Sequence, residues 1–218
     1  TWQTWQDFTE LAALSIAQAT AYSEEREETY MRTIGRYTHE EAQLIPKLLA
    51  LTIQALEIKH HDFLGEMFME LELGSKWHGQ FFTPYHLCLL MAELTVSKEQ
   101  FENDNIVSVN EPAVGAGAMV IALCDHLRNL KINYQRQLKI ITQATDYIAS
   151  CMCYLQPSLL GRSAVIIHGN TLTLECRNYW YTPMAMTQYF THWAQDMKAA
   201  RLSEVNEIAE AELTIQDT

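Results

Sequence analysis

An α/β fold, with a parallel sheet behind an amino-terminal helical region, is predicted by three observations on this 218-residue chain. Apolar, β-like runs near 106–110, 138–145 and 164–168 alternate with helix-like runs at 117–130 and 147–160. A turn carrying Gly115 and Gly117 joins the first strand to the first of these helices. Residues 1 to about 73, by contrast, carry helical spacing only. Strand and helix in alternation imply right-handed crossovers and a parallel sheet, with any ligand at the carboxyl ends of its strands.

In chain order, Phe8, Leu11, Ala12, Ile16 and Ala19 recur at helical spacing, and Leu44 to Leu56 form a broader apolar face. Glu24-Glu25-Arg26-Glu27-Glu28 reads as a solvated helix face, and Thr38-His39-Glu40-Glu41 as a helix start with a capping threonine. Asp62 to Leu71 continues the helical pattern, which breaks at Gly74 and Gly79. Pro84 then reads as the first helical residue with Thr83 as its cap, which leaves Phe81 and Phe82 in the loop before a helix. Loop aromatics there serve either as a hydrophobic staple or as ligand contacts. Only three strands are visible, and the aromatic stretch Tyr179-Trp180-Tyr181 reads as core, as interface or as a base-stacking surface. Met186, Tyr189, Phe190, Trp193 and Met197 outline a last helix.

Composition narrows the function. Nearly half of the residues are hydrophobic and 19% charged, as in a globular domain. No apolar run approaches a membrane span, and Thr1 to Trp5 lack a basic region followed by an apolar one, so a cytoplasmic protein with no membrane contact is expected. The five cysteines lack paired or metal-type spacing and read as reduced, buried thiols. Adjacent histidines such as His60 and His61 diverge on a helix, and no cluster completes a metal site. The formal net charge of −12, without a lysine/arginine stripe, argues against a free-standing DNA binder. Contact with DNA would therefore come through a basic partner.

The candidate site lies in four ordered segments. Ile106-Val107-Ser108-Val109 leads through Asn110-Glu111-Pro112-Ala113-Val114-Gly115-Ala116-Gly117 into Ala118 and its helix. Glycines let backbone amides approach a ligand, and a helix amino terminus presents unpaired N–H groups. Lys139 to Asp146 forms a second strand ended by an acid. Asp146 suits a ribose diol or a helix cap; Tyr147 suits stacking on an adenine or plain packing. Glu111 suits an amino group or turn hydrogen bonding. Asn170, in Gly169-Asn170-Thr171-Leu172, suits ligand contact or an Asx-turn.

Together with Phe82-Thr83-Pro84, these segments resemble the N6-adenine DNA methyltransferases, closest to the modification subunits of type I restriction systems and their phage and plasmid relatives. The resemblance covers roughly residues 60 to 175. It implies a Rossmann-like, S-adenosylmethionine-dependent methyltransferase fold and cofactor binding by Phe81, Phe82, Thr83, Pro84, Glu111, Pro112, Ala113, Gly115, Gly117, Asp146, Tyr147 and Asn170. It further implies DNA modification by methyl transfer to adenine N6. The family's Asn/Asp-Pro-Pro-Tyr/Phe tetrapeptide, which grips the flipped adenine, occurs nowhere in the chain, so no catalytic residue is assigned. Acceptor-side residues would come from Tyr179 to Pro183 or from a partner. The alternative function is a catalytically inactive, methyltransferase-like interaction protein that binds a restriction–modification or other host partner. The expected organisation is a helical region at 1–78 and a methyltransferase-like domain at 79–218, truncated after its third strand. The exposed edge of such a sheet predicts a homo-oligomer or a heterologous protein partner.

Overall fold

The structure, a computed structural model, describes residues 2–71 and 81–187. Five helices come first: α1 (Trp2–Thr20), α2 (Glu24–Ile34), the single turn α3 (His39–Ala42), α4 (Leu44–Ile58) and α5 (Phe63–Glu70). After the Phe-Thr-Pro segment, α6 (Tyr85–Thr95) and a 3-10 turn lead into the sheet region. It consists of β1 (Val107–Glu111), α7 (Ala118–Asn129), the short α8 (Tyr134–Gln137), β2 (Leu138–Ala144), α9 (Tyr147–Leu159), β3 (Ala164–Asn170) and β4 (Glu175–Tyr181).

The strands lie in the order β1-β2-β3-β4. β1 pairs with β2 and β2 with β3 in parallel, Val109 opposite Ile140 and Thr142 opposite Ile166. The mixed α/β architecture is the expected one, and the predicted strands and helices between 106 and 168 fall within two residues of the observed ones.

A fourth strand corrects the expectation of three. β4 runs antiparallel to β3, with Ile166 opposite Trp180, and the ladder shifts register between His168 and Gly169. The sequence hides this strand because Glu175 to Tyr181 has no Val/Ile run. It is a half-buried edge strand held by aromatics, and only Trp180 in it is fully buried. The α6 boundary also moves by one residue. Pro84 is the cap, its carbonyl accepting from the Leu87 and Cys88 amides, and Thr83 lies outside the helix.

One face of the sheet carries the main core. Leu138, Ile140, Ala164, Ile166 and Trp180 meet Ala149, Met152, Tyr154 and Leu155 of α9, and α9 in turn meets Leu11, Ala12 and Leu14 of α1. Ile141, Val165 and Ile167 form a separate apolar cluster with Tyr179 and Tyr181 on the strands' other side. The amino-terminal helices therefore continue the sheet's core. Thr38 caps the start of α3 as expected, and Glu41 completes a capping box; Arg26 joins α2 to β4 by donating to the Tyr179 carbonyl at 3.1 Å and lying over the Trp180 ring.

Deleting residues 1–60 would strip α1 from α9 and bare this apolar surface. We expect insoluble protein or a product without a cooperative thermal transition. A soluble fragment beginning at Asp62 with a sharp calorimetric melt would show instead that the helices form an independent unit.

Candidate cofactor-binding site

β1 and β2 end beside each other, and the chain leaving β1 turns at once. Gly115 has φ +57° and Gly117 φ +109°, both in the left-handed region that favours glycine. The turn is anchored at several points. Ala113 N–H donates to Glu111 Oε1 at 3.1 Å, Val114 N–H to the Gln143 carbonyl at 3.1 Å, and Thr171 Oγ1 to the Pro112 carbonyl at 2.8 Å. Gln156, fully buried on α9, donates through Nε2 to the Ala116 carbonyl (3.0 Å) and to Asp62 Oδ1 (2.7 Å). Its Oε1 accepts from the Leu64 amide at 2.9 Å, so one amide ties the loop to the start of α5. Burial pushes the Asp62 carboxyl above the usual carboxylate range, against the hydrogen bonds from Gln156 and Gly65.

The Phe-Thr-Pro segment closes over this loop. A Cβ placed on Gly115 would lie 2.8 Å from Phe82 Cδ1, so the ring rests on the glycine itself. Phe82 stacks at 5.0 Å on Phe68 of α5, which in turn meets Trp2 (5.8 Å) and Trp5 (6.5 Å) of α1. Phe81 is 71% exposed at the outer lip.

Between these parts lies an open cavity of about 540 Å³, within the usual range for small-molecule sites. It brings together Phe81, Phe82, Thr83, Glu111, Pro112, Ala113, Gly115 and Asp146 of the predicted residues. Ala118 and Met119, in the first turn of α7, line it as well, which sets a helix amino terminus on one wall. The Gly115 and Ala116 amides have no hydrogen-bond acceptor among the described residues.

Asp146 is the helix cap and also faces the cavity. Its Oδ1 accepts from the Ala149 amide at 2.7 Å as the cap of α9, and the residue lines the cavity. Glu111 likewise holds its turn through Oε1 while facing the cavity. Gly117 shapes the loop as the residue before α7, with Cys153 packed against its Cα side, and Pro84 lies in the neighbouring groove with Tyr85 and His86.

Besides Pro84 and Gly117, Tyr147 and Asn170 are also absent from the cavity wall. The Tyr147 ring turns towards the core, 5.4 Å from His168 and 6.2 Å from Trp180, and lines a second, smaller cavity against α1 and α2. Burial pushes the Tyr147 hydroxyl well above its ordinary range, and burial lowers the His168 imidazole. Asn170 forms the Asx-turn, its Oδ1 accepting from the Leu172 amide at 3.0 Å. Tyr179 to Tyr181 lie on β4, two strands away from β2, and Trp180 is core. Sequence reasoning missed Cys88, Met91, Met119, Thr145 and Ala149 on the cavity wall, and Thr171 behind it. Thr171 sits inside a quoted motif, but nothing in its spacing announces the bond to Pro112.

Behind the loop, α7 is held by a buried ionic cluster. Asp125 Oδ1 lies 3.1 Å from Arg162 Nη2 and 3.2 Å from His60 Nδ1, and Asp125 Oδ2 accepts from Tyr85 Oη at 2.6 Å. Arg162 is fully buried, its guanidinium 4.5 Å from the centre of the Tyr134 ring. His61 meets the Lys59 carbonyl and Glu66, and Asp62 caps α5 through the Gly65 amide. Cys88, Cys124, Cys151 and Cys153 are buried free thiols, and burial pushes Cys124 and Cys153 up to about 12.

A glycine turn after β1, an acid two residues past β2 and a cavity over both form the corner where α/β folds commonly hold ligands, at the carboxyl ends of parallel strands. The family model described as N-6 DNA Methylase matches residues 62–200, more than half of the chain. The chain belongs to the N-6 DNA methylase family. No curated protein and no solved structure matches it. Among the described residues, no helix is long and apolar enough to cross a membrane.

Proposed function

We propose that the cavity between the Phe-Thr-Pro segment, the Glu111–Gly117 loop and Asp146 binds S-adenosylmethionine, and that the protein serves DNA N6-adenine modification in the cytoplasm. One observation carries this reading: the segments that resemble the family's cofactor motifs, far apart in sequence, converge on one cavity of suitable size. Asp146, between β2 and α9, would hold the ribose hydroxyls. Glu111 would face the amino group of the methionine moiety, and the free Gly115 and Ala116 amides would meet its carboxylate. Phe82 and Pro112 would shape the walls. The bound cofactor would supply an electrophilic methyl group. This chain's residues would orient it, and the acceptor side is left to residues beyond those that line the cavity.

Calorimetry with S-adenosylhomocysteine tests the binding step. Saturable binding is expected, weakened about tenfold or more by Asp146→Ala, because a charge-assisted pair to a hydroxyl contributes on the order of 1.5–3 kcal/mol. No heat and no thermal shift at high cofactor concentration would end the binding claim. Tritiated methyl transfer to unmethylated DNA, with and without cell extract, then separates an enzyme from the catalytically inactive, partner-binding alternative. Incorporation only with extract would mean that a partner completes the acceptor side.

A further inference from the structure

α6 is apolar on both sides. Its inner face, Tyr85, Cys88 and Ala92, is buried against Ala118, Ile121 and Ala122 of α7. Leu87, Leu90, Met91 and Leu94 stand outside, 43%, 50%, 47% and 77% exposed. Their i, i+3, i+4, i+7 spacing makes one continuous stripe. His86 and Glu93 are the helix's only basic and acidic residues. Single exposed leucines are ordinary, but a stripe on a helix already buried on its other side has the composition of an interior element.

The stripe also reaches the cavity. Met91 lines it from α6, and exposed Phe81 lines it from the preceding loop, so whatever covers the stripe extends the cavity's outer wall. The surroundings select the chemistry. Glu66 and Glu70 of α5 line the groove shared with His86 and Leu89, and exposed Glu93, Glu99 and Glu102 lie within or just after α6 in sequence. Lys59 lines the same groove, Lys98 follows α6 in sequence, and Arg128 lies at the far end of α7. The whole chain carries −12. Two such copies face to face would bring like charge to both rims, whereas a cationic partner would be drawn in.

We propose that the α6 stripe docks a basic amphipathic helix of a partner protein, its leucine-type face on Leu87, Leu90, Met91 and Leu94 and its lysines or arginines against the flanking acids. This is recognition of a helix by an apolar stripe with charged rims. That the partner also brings cations to DNA rests on the proposed function; the docking itself does not.

The test uses the full chain with neither cofactor nor DNA, so its outcome is separate from that of the cofactor reading. A synthetic leucine/lysine peptide of helical spacing is titrated by fluorescence anisotropy, beside a leucine/glutamate peptide of identical pattern. Saturable binding of the lysine peptide is expected. The double variant Leu90→Ser, Leu94→Ser, which alters no charge and no buried residue, should weaken it about tenfold or more. Equal binding of both peptides, no binding, or binding untouched by the double variant would overturn the proposal. A stable dimer in light scattering that the same variant dissociates would also overturn it, by making a second copy the occupant.

Discussion

Gly115→Leu is expected to remove S-adenosylhomocysteine binding altogether in calorimetry. Two effects act in the same direction. The residue sits at φ +57°, where a side chain costs about 1–2 kcal/mol, and its Cβ would lie 2.8 Å from the Phe82 ring. Phe82 has little room to yield, since Phe68 stacks on it from behind. The new side chain therefore displaces either the loop or the ring, and both are cavity walls. Gly115→Ala should keep the φ penalty and lessen the volume conflict, so its loss is smaller. A Gly115→Leu protein that binds within about twofold of the parent would place the ligand elsewhere.

The second large effect concerns stability. Asp125→Ala leaves the fully buried Arg162 guanidinium without its carboxylate and the Tyr85 hydroxyl without its acceptor. Breaking a buried pair from one side costs about 3–5 kcal/mol, a fall in Tm on the order of 10 °C for a domain of this size. Adding Arg162→Met should restore part of the loss, because the unpaired charge goes with it. If the double variant is less stable than Asp125→Ala alone, Arg162 contributes chiefly through Tyr134 and the packing around it.

How far the sequence reveals this arrangement depends on the range of the interactions. β1, α7, β2, α9 and β3 are legible because apolar runs and glycine turns are local signals, and the family motifs mark Glu111 to Gly117 and Asp146. β4 escapes because its stability comes from pairing with β3 and from Trp180 packing on Tyr147 and Tyr154, none of it visible as a run. The direction of Tyr147 escapes for a related reason: the first residue of a helix can face either way, and the packing of α1 decides it. Gln156 and Asp125 look like ordinary polar residues on amphipathic helices. Only the approach of Asp62 and Arg162, distant in sequence, makes them hubs. Of the expected last helix, Met186 lies in a turn, and Tyr189, Phe190, Trp193 and Met197 lie outside the described residues.

The aromatic chain from Trp2 and Trp5 through Phe68 and Phe82 to Gly115 would couple the amino terminus to the proposed cofactor site. A ligand that fixes the loop would also fix Phe82, and through Phe68 the first turn of α1 at Trp2 and Trp5. Ligand free energy is then shared along that stack, so occupancy should slow hydrogen exchange in the first turns of α1, far from any atom the ligand touches. The amino-terminal helix is in this sense a remote reporter of the cavity.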